Sequence, residues 1–144
     1  MAASPLRLHH VGYVVSNVEA AMPGFVRSLM ATWDGRVIED PLQKVRVAFL
    51  ATRPADPLVE LVEPVGADSP VLRFLQEKGG GLHHFCYEVA DLEEELAGFR
   101  ARGAAMAKRP KPAVAFGGRR IAWVITAERL LVELLEETLK EGRP

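Results

Sequence analysis

Leu8-His9-His10-Val11-Gly12-Tyr13-Val14-Val15-Ser16-Asn17-Val18-Glu19 returns 74 residues further on as Leu82-His83-His84-Phe85-Cys86-Tyr87-Glu88-Val89-Ala90-Asp91-Leu92-Glu93, without a gap and with six of twelve positions identical. The same offset brings Phe25 onto Phe99, and Arg46-Val47-Ala48-Phe49-Leu50-Ala51-Thr52 onto Arg120-Ile121-Ala122-Trp123-Val124-Ile125-Thr126. One residue then drops out in a loop, and at an offset of 73 Val59-Glu60-Leu61-Val62-Glu63 meets Val132-Glu133-Leu134-Leu135-Glu136. Four blocks in one order are a duplicated module, and a repeat decides the architecture before any single element does.

Each copy reads as strand, helix, then strands. Leu8 to Val15 and His84 to Val89 are short β-rich runs, followed by the helix-start residues Asn17 and Asp91. Asp91 with Glu94 makes a capping-box-like start for a helix near 92 to 102, and Gly103 suits its stop. The first helix is expected near 18 to 33, kinked or shortened by Pro23. Further strands are expected at 45–51, 58–63, 120–125 and 130–136, with weaker ones at 36–39 and 104–108. Ser69 should cap and Pro70 open a linking helix over 69–79, ended by Gly79-Gly80-Gly81. The order βαβββ twice implies an α+β fold in which two tandem modules form a curved mixed sheet. Residues 1–144 are read as a single domain, with module 1 at about 6–66 and module 2 at about 81–138.

Composition narrows the function. The chain has 144 residues, 49% hydrophobic and 26% charged, with a formal net charge of −1, the profile of one soluble globular domain. A chain of this size buries roughly 68 to 70% of its unfolded surface, so it needs no metal for folding. The longest run without Asp, Glu, Lys or Arg, Leu8 to Val18, is 11 residues and too short to span a membrane. Met1 to His10 lacks the apolar region of a secretory signal, and the single Cys86 can form no internal disulfide, so a reducing, cytoplasmic location is expected. Near-neutral charge offers no footprint for nucleic acid.

The chemistry lies in residues that recur. His10 with His84, and Glu60 with Glu133, occupy equivalent points of the two copies. Both glutamates sit in the middle of strands that are otherwise apolar on both faces, and a buried carboxylate costs several kcal/mol unless partnered. Strand alternation puts His10 with Gly12 and Val14 on one face, and His84 with Cys86 and Glu88 on the matching face. Packed about a pseudo-twofold axis, the four side chains would converge as an N2O2 set suited to Co²⁺, Ni²⁺, Zn²⁺, Mn²⁺ or Fe²⁺, with two positions left for substrate oxygens. The plainer alternative makes both histidines core residues bonded to backbone and pairs the glutamates with Arg46 and Arg120; the symmetry of the quartet favours the metal. His9 and His83 point to the opposite face and read as structural. Cys86 reads as a small core residue, and Tyr13 and Tyr87 as packing outward under helices. Lys108, Arg109, Lys111, Arg119 and Arg120 form a stretch without acids, either a solvated loop or a contact for an anionic substrate.

Leu8 to Val15, Lys44-Val45-Arg46-Val47-Ala48-Phe49-Leu50, Val59-Glu60-Leu61-Val62-Glu63-Pro64, Asp68 to Leu75, Gly81-Leu82-His83-His84 and Val132-Glu133-Leu134 together resemble the vicinal oxygen chelate superfamily, which includes glyoxalases, bleomycin resistance proteins and dioxygenases. Within it they are most similar to the methylmalonyl-CoA epimerases. The resemblance implies a glyoxalase-like fold around a divalent metal held by His10, Glu60, His84 and Glu133. It also implies a small anionic or acyl-thioester substrate and a homodimer. The implied chemistry is removal of a proton next to a carbonyl, stabilisation of the enolate and return of the proton on the other face, with Glu133 as a base. The strand where some epimerases carry a second carboxylate reads Val45-Arg46-Val47-Ala48, leaving Glu39, Asp40 and Glu88 as alternatives. The loop Ile125-Thr126-Ala127-Glu128-Arg129-Leu130 is shorter than the epimerase pattern and lacks its His-Pro pair. A glyoxalase-I-type lyase shares the ligands and is the rival reading. An extradiol dioxygenase is disfavoured by the fourth ligand Glu60, and a metal-free drug-binding resistance protein by the completeness of the quartet.

Overall fold

Both copies fold as strand, capped helix and returning strands, four in the first copy and three in the second, because each copy buries one strand face under its helix. The structure, a computed structural model, describes residues 3–137; the expected end of module 2 at residue 138 lies just outside them. Nine strands and three α-helices occur among the described residues, in the α+β class expected. Residues 10–83 form one compact unit, and residues 84–137 form another together with residues 3–9. Among the described residues no helix is long and apolar enough to cross a membrane.

The unit of residues 10–83 contains most of β1 (Arg7–Val14), α1 (Val18–Leu29), β2 (Thr32–Trp33), β3 (Ile38–Asp40), β4 (Val45–Ala51), β5 (Leu58–Pro64) and α2 (Leu72–Lys78). β1 runs parallel to β5, β5 antiparallel to β4, and β2 and β3 each pair antiparallel with β4. Asn17 starts α1 as expected, accepting the Ala20 N–H at 2.8 Å, while Glu63 accepts the Val18 N–H at 2.9 Å. Val18, Met22, Ala48, Leu50 and Leu61 form the core between helix and strands.

The second unit contains β6 from His84 (whole strand Gly81–Val89), α3 (Leu92–Ala101), β7 (Ala105–Pro112), β8 (Arg120–Ile125) and β9 (Leu131–Glu136). β6 is parallel to β9, and β9–β8 and β8–β7 are antiparallel, β7 being irregular between Met106 and Lys111. Asp91 accepts the Glu94 N–H at 3.0 Å, as the capping pattern requires, and Gly103 takes a positive φ of 97° just after α3. Val89, Leu92, Leu96, Phe99, Val124 and Leu134 are the corresponding core.

Three local expectations are corrected. α1 stops at Leu29, not near 33, because Met30 adopts the left-handed conformation with the Ala31 N–H bonded to Val26 O; Thr32–Trp33 then pairs with β4. Met in that conformation leaves no glycine signal to read. Ser69 does not cap α2: its carbonyl accepts the Leu72 N–H in a turn that precedes the helix, and the cap position falls to Val71. The basic stretch is a loop only at Arg119, since Lys108, Arg109 and Lys111 lie in β7 and Arg120 begins β8.

Gly80 is the backbone position with least tolerance. Its φ is +104°, and a Cβ placed there would lie 2.6 Å from the Val14 carbonyl oxygen. Gly80→Ala is therefore expected to destabilise the protein by at least about 2 kcal/mol, read as a lower urea midpoint at unchanged slope; a midpoint within error of wild type would show that the linker relaxes freely.

Candidate metal centre

The half-site of the first unit is built by strand register. In the parallel β1–β5 pair His10 lies opposite Leu58 and Gly12 opposite Glu60, so Glu60 is displaced by one residue pair along the face that carries His10. His10 Nε2 lies 3.3 Å from Glu60 Oε1, with the His10 side chain fully buried and that of Glu60 6% exposed. Across β5, Phe49 of β4 is opposite Glu60, and its ring stands edge-to-face on the His10 imidazole at 5.6 Å and 72°.

The second unit repeats the construction. Glu133 lies opposite Cys86 in the β6–β9 pair, two residues beyond His84. His84 Nε2 is 3.4 Å from Glu133 Oε1, and both side chains are at most 4% exposed. Trp123 of β8 lies opposite Glu133 and stands on the His84 ring at 4.7 Å and 78°. Each unit thus presents a row of imidazole, carboxylate and aromatic across three adjacent strands. The sequence reading singled out the His and Glu members and missed Phe49 and Trp123; their signal was an aromatic at the same point of each repeat.

The two arginines are engaged elsewhere. Arg46 donates to Glu63 at 3.0 Å and to both carboxylate oxygens of Glu19, at 3.0 and 2.6 Å. Arg120 donates to Glu93 at 2.7 Å and Glu136 at 2.8 Å. Glu19 opens α1 and Glu93 opens α3, while Glu63 and Glu136 follow Glu60 and Glu133 by three residues on the strand. The arginines therefore clamp each helix start to its sheet and do not neutralise Glu60 and Glu133. The bonds to Glu19, and then to Glu63, hold the Arg46 guanidinium above its ordinary value; Glu136, and then Glu93, do the same for Arg120.

The remaining residues make the following contacts. His9 and His83 stand edge-on to Phe116 and Phe74. Cys86 is buried with Ala113, Ile121 and Leu135. Tyr13 packs on Phe25 of α1, and Tyr87 against the core beneath α3. Glu88 is buried and ion-paired with Arg7 and, at 3.0 Å, with Arg119. Asp40 is buried and accepts the N–H groups of Leu42 and Gln43, whereas Glu39 is exposed on β3.

A family model for the glyoxalase/bleomycin resistance protein/dioxygenase superfamily matches residues 9–123. The chain belongs to that superfamily. As a member of it, the chain is 35% identical over 133 residues to the uncharacterised protein YqjC of Bacillus subtilis strain 168, covering 90% of this chain and 91% of that one. It is 31% identical over 119 residues to the ethylmalonyl-CoA/methylmalonyl-CoA epimerase of Cereibacter sphaeroides, covering 82% of this chain and 87% of the relative. The crystal structure of methylmalonyl-CoA epimerase from Mycobacterium tuberculosis matches the fold with a TM-score of 0.83 at 24% identity, over 96% of this chain and 93% of that one.

The clamps carry a pH signature. Arg46 holds the Glu19 carboxyl below its ordinary value of 4.5, so the contribution of this pair is complete above that value and is lost as pH falls below it. Arg46→Met should accordingly be less stable than wild type at pH 7, by a difference that shrinks towards pH 3; urea midpoints at the two pH values measure this, and a constant difference would contradict it. The exposure of Glu19 keeps the acid-dependent part small.

Proposed function

We propose that His10, Glu60, His84 and Glu133 hold one divalent metal ion, and that the protein is a metal-dependent epimerase acting on the proton α to a thioester carbonyl. The observation that carries the reading is the identical His–Glu pair in both units, with Nε2 and carboxylate oxygen 3.3 and 3.4 Å apart and almost no solvent. Two imidazoles and two carboxylates, one donor atom each, are a set that borderline divalent ions favour. The epimerase relative, 31% identical over most of both chains, supports the reaction class and an acyl-CoA substrate. A divalent ion bound there supplies Lewis-acid polarisation of a substrate carbonyl. The protein's own groups do the rest. Glu133 accepts the α-proton on one face of the carbon, its carboxylate kept reactive by burial among apolar strand neighbours, and inversion requires a second acid to deliver a proton to the opposite face. Phe49 and Trp123 exclude water from one flank of each pair. A cytoplasmic homodimer is the assembly proposed with this activity.

One observation favours a second reading, a glyoxalase-I-type lyase. Inversion at carbon needs an acid or base on each side, and the position read as lacking a carboxylate, Arg46, is locked to Glu19 and Glu63. Glu88 is ion-paired as well. A lyase that moves its proton on one side of the substrate needs no second group.

Incubation of the Co²⁺- or Ni²⁺-loaded protein with methylmalonyl-CoA in D₂O should place deuterium at C2 and scramble its configuration. No deuterium at C2 sinks the epimerase reading, and turnover of a glutathione hemithioacetal in its place establishes the lyase. Glu133→Ala should lose bound metal and at least about 10²-fold in rate while keeping the far-ultraviolet circular dichroism of wild type. Metal retained at full stoichiometry in that variant would exclude Glu133 as a ligand.

A further inference from the structure

We propose that Phe49 and Trp123 are positioning residues for the metal-binding imidazoles, Phe49 acting through His10 and Trp123 through His84; the inference rests on the metal reading above. The torsion that turns a histidine ring about its Cβ–Cγ bond is broad, so the direction of Nε2 is set by whatever touches the ring. In each unit an aromatic edge-to-face contact is in place to do this, at 5.6 Å and 72° for His10 and at 4.7 Å and 78° for His84.

Trp123 also packs against the small cluster of Cys86, Ala113, Ile121 and Leu135, but neither ring belongs to the cores under the helices. Their strand neighbours Ala48, Leu50, Ala122 and Val124 supply the cores under α1 and α3 from the other strand face. Phe49 and Trp123 point away from those cores, remain only half-buried, and lie directly opposite Glu60 and Glu133. Each ring therefore spans the carboxylate strand to reach the imidazole beyond it, fixing the plane of one ligand and drying the flank of the other. The contact is closer in the second unit, so Trp123 is the stronger determinant.

Co²⁺ binding to the metal-stripped protein tests this, with calorimetry for affinity and the visible d–d bands for ligand geometry. Trp123→Leu is expected to weaken Co²⁺ binding by about tenfold or more and to shift the bands, the range seen when outer-shell support of a ligand is lost. Trp123→Phe, which installs the ring the first unit uses, should stay within about threefold with native bands, and Phe49→Leu should fall between. Leu variants that bind with native affinity and bands overturn the proposal, including when their melting temperature drops, since a purely structural role would move stability alone. Should Trp123→Leu not fold, Phe49→Leu and Trp123→Phe decide the matter by the same criteria. Wild-type protein that takes up no Co²⁺ overturns both this inference and the metal reading, whereas wild-type uptake matched by the Leu variants overturns this inference alone.

Discussion

A carboxylate buried in the middle of an apolar strand is the constraint on which the rest of the molecule depends. Glu60 and Glu133 are each more than nine-tenths buried, flanked along the chain by Val59 and Leu61 and by Val132 and Leu134. Removing such a group from water costs several kcal/mol unless a neighbour compensates. The parallel pairings β1–β5 and β6–β9 supply that neighbour by bringing a histidine one residue pair away on the same face. Since a chain of this length has enough apolar surface to fold without such residues, the cost is better understood as an expense of chemistry than of stability.

Around each pair the strands divide their labour by face. Alternate residues of β4, β5, β8 and β9 fill the cores beneath α1 and α3, and the residues between them include Phe49, Glu60, Trp123 and Glu133, beside His10 of β1 and His84 of β6. A one-residue slip in register would exchange the two sets, so the helix contacts that hold the register also hold the site. The Arg46 and Arg120 clamps belong to this scaffold. They tie the first turn of each helix to the end of the strand that bears Glu60 or Glu133, three residues away. By taking Glu63 and Glu136 as partners they leave the carboxylates of Glu60 and Glu133 to the imidazoles.

The duplication is also why so much was legible. A residue matched to its counterpart in the other copy is weighed twice, which picked out His10, Glu60, His84 and Glu133 from a chain with four histidines and 19 acids. Strand boundaries at 45–51 and 120–125 and the caps Asn17 and Asp91 agree with the structure for the same reason: local chemistry and repeat say one thing. Where local chemistry was silent the reading failed. Met30 ends α1 in a left-handed conformation that side chains rarely adopt, and Ser69 uses its backbone rather than its hydroxyl to lead into α2.

By itself, then, the sequence determined the α+β class, the repeated order of elements and the two matched His–Glu combinations, because periodicity, capping and self-similarity are properties of order along the chain. Only the tertiary structure decided which carboxylate each arginine takes. Arg46 could meet Glu60 or Glu63, and Arg120 Glu133 or Glu136, as far as spacing goes; strand register and the approach of Glu19 and Glu93 from the helix starts select Glu63 and Glu136. The same register revealed Phe49 and Trp123 against the imidazoles of His10 and His84, since contacts between strands far apart in sequence are set by packing and not by neighbours in the chain.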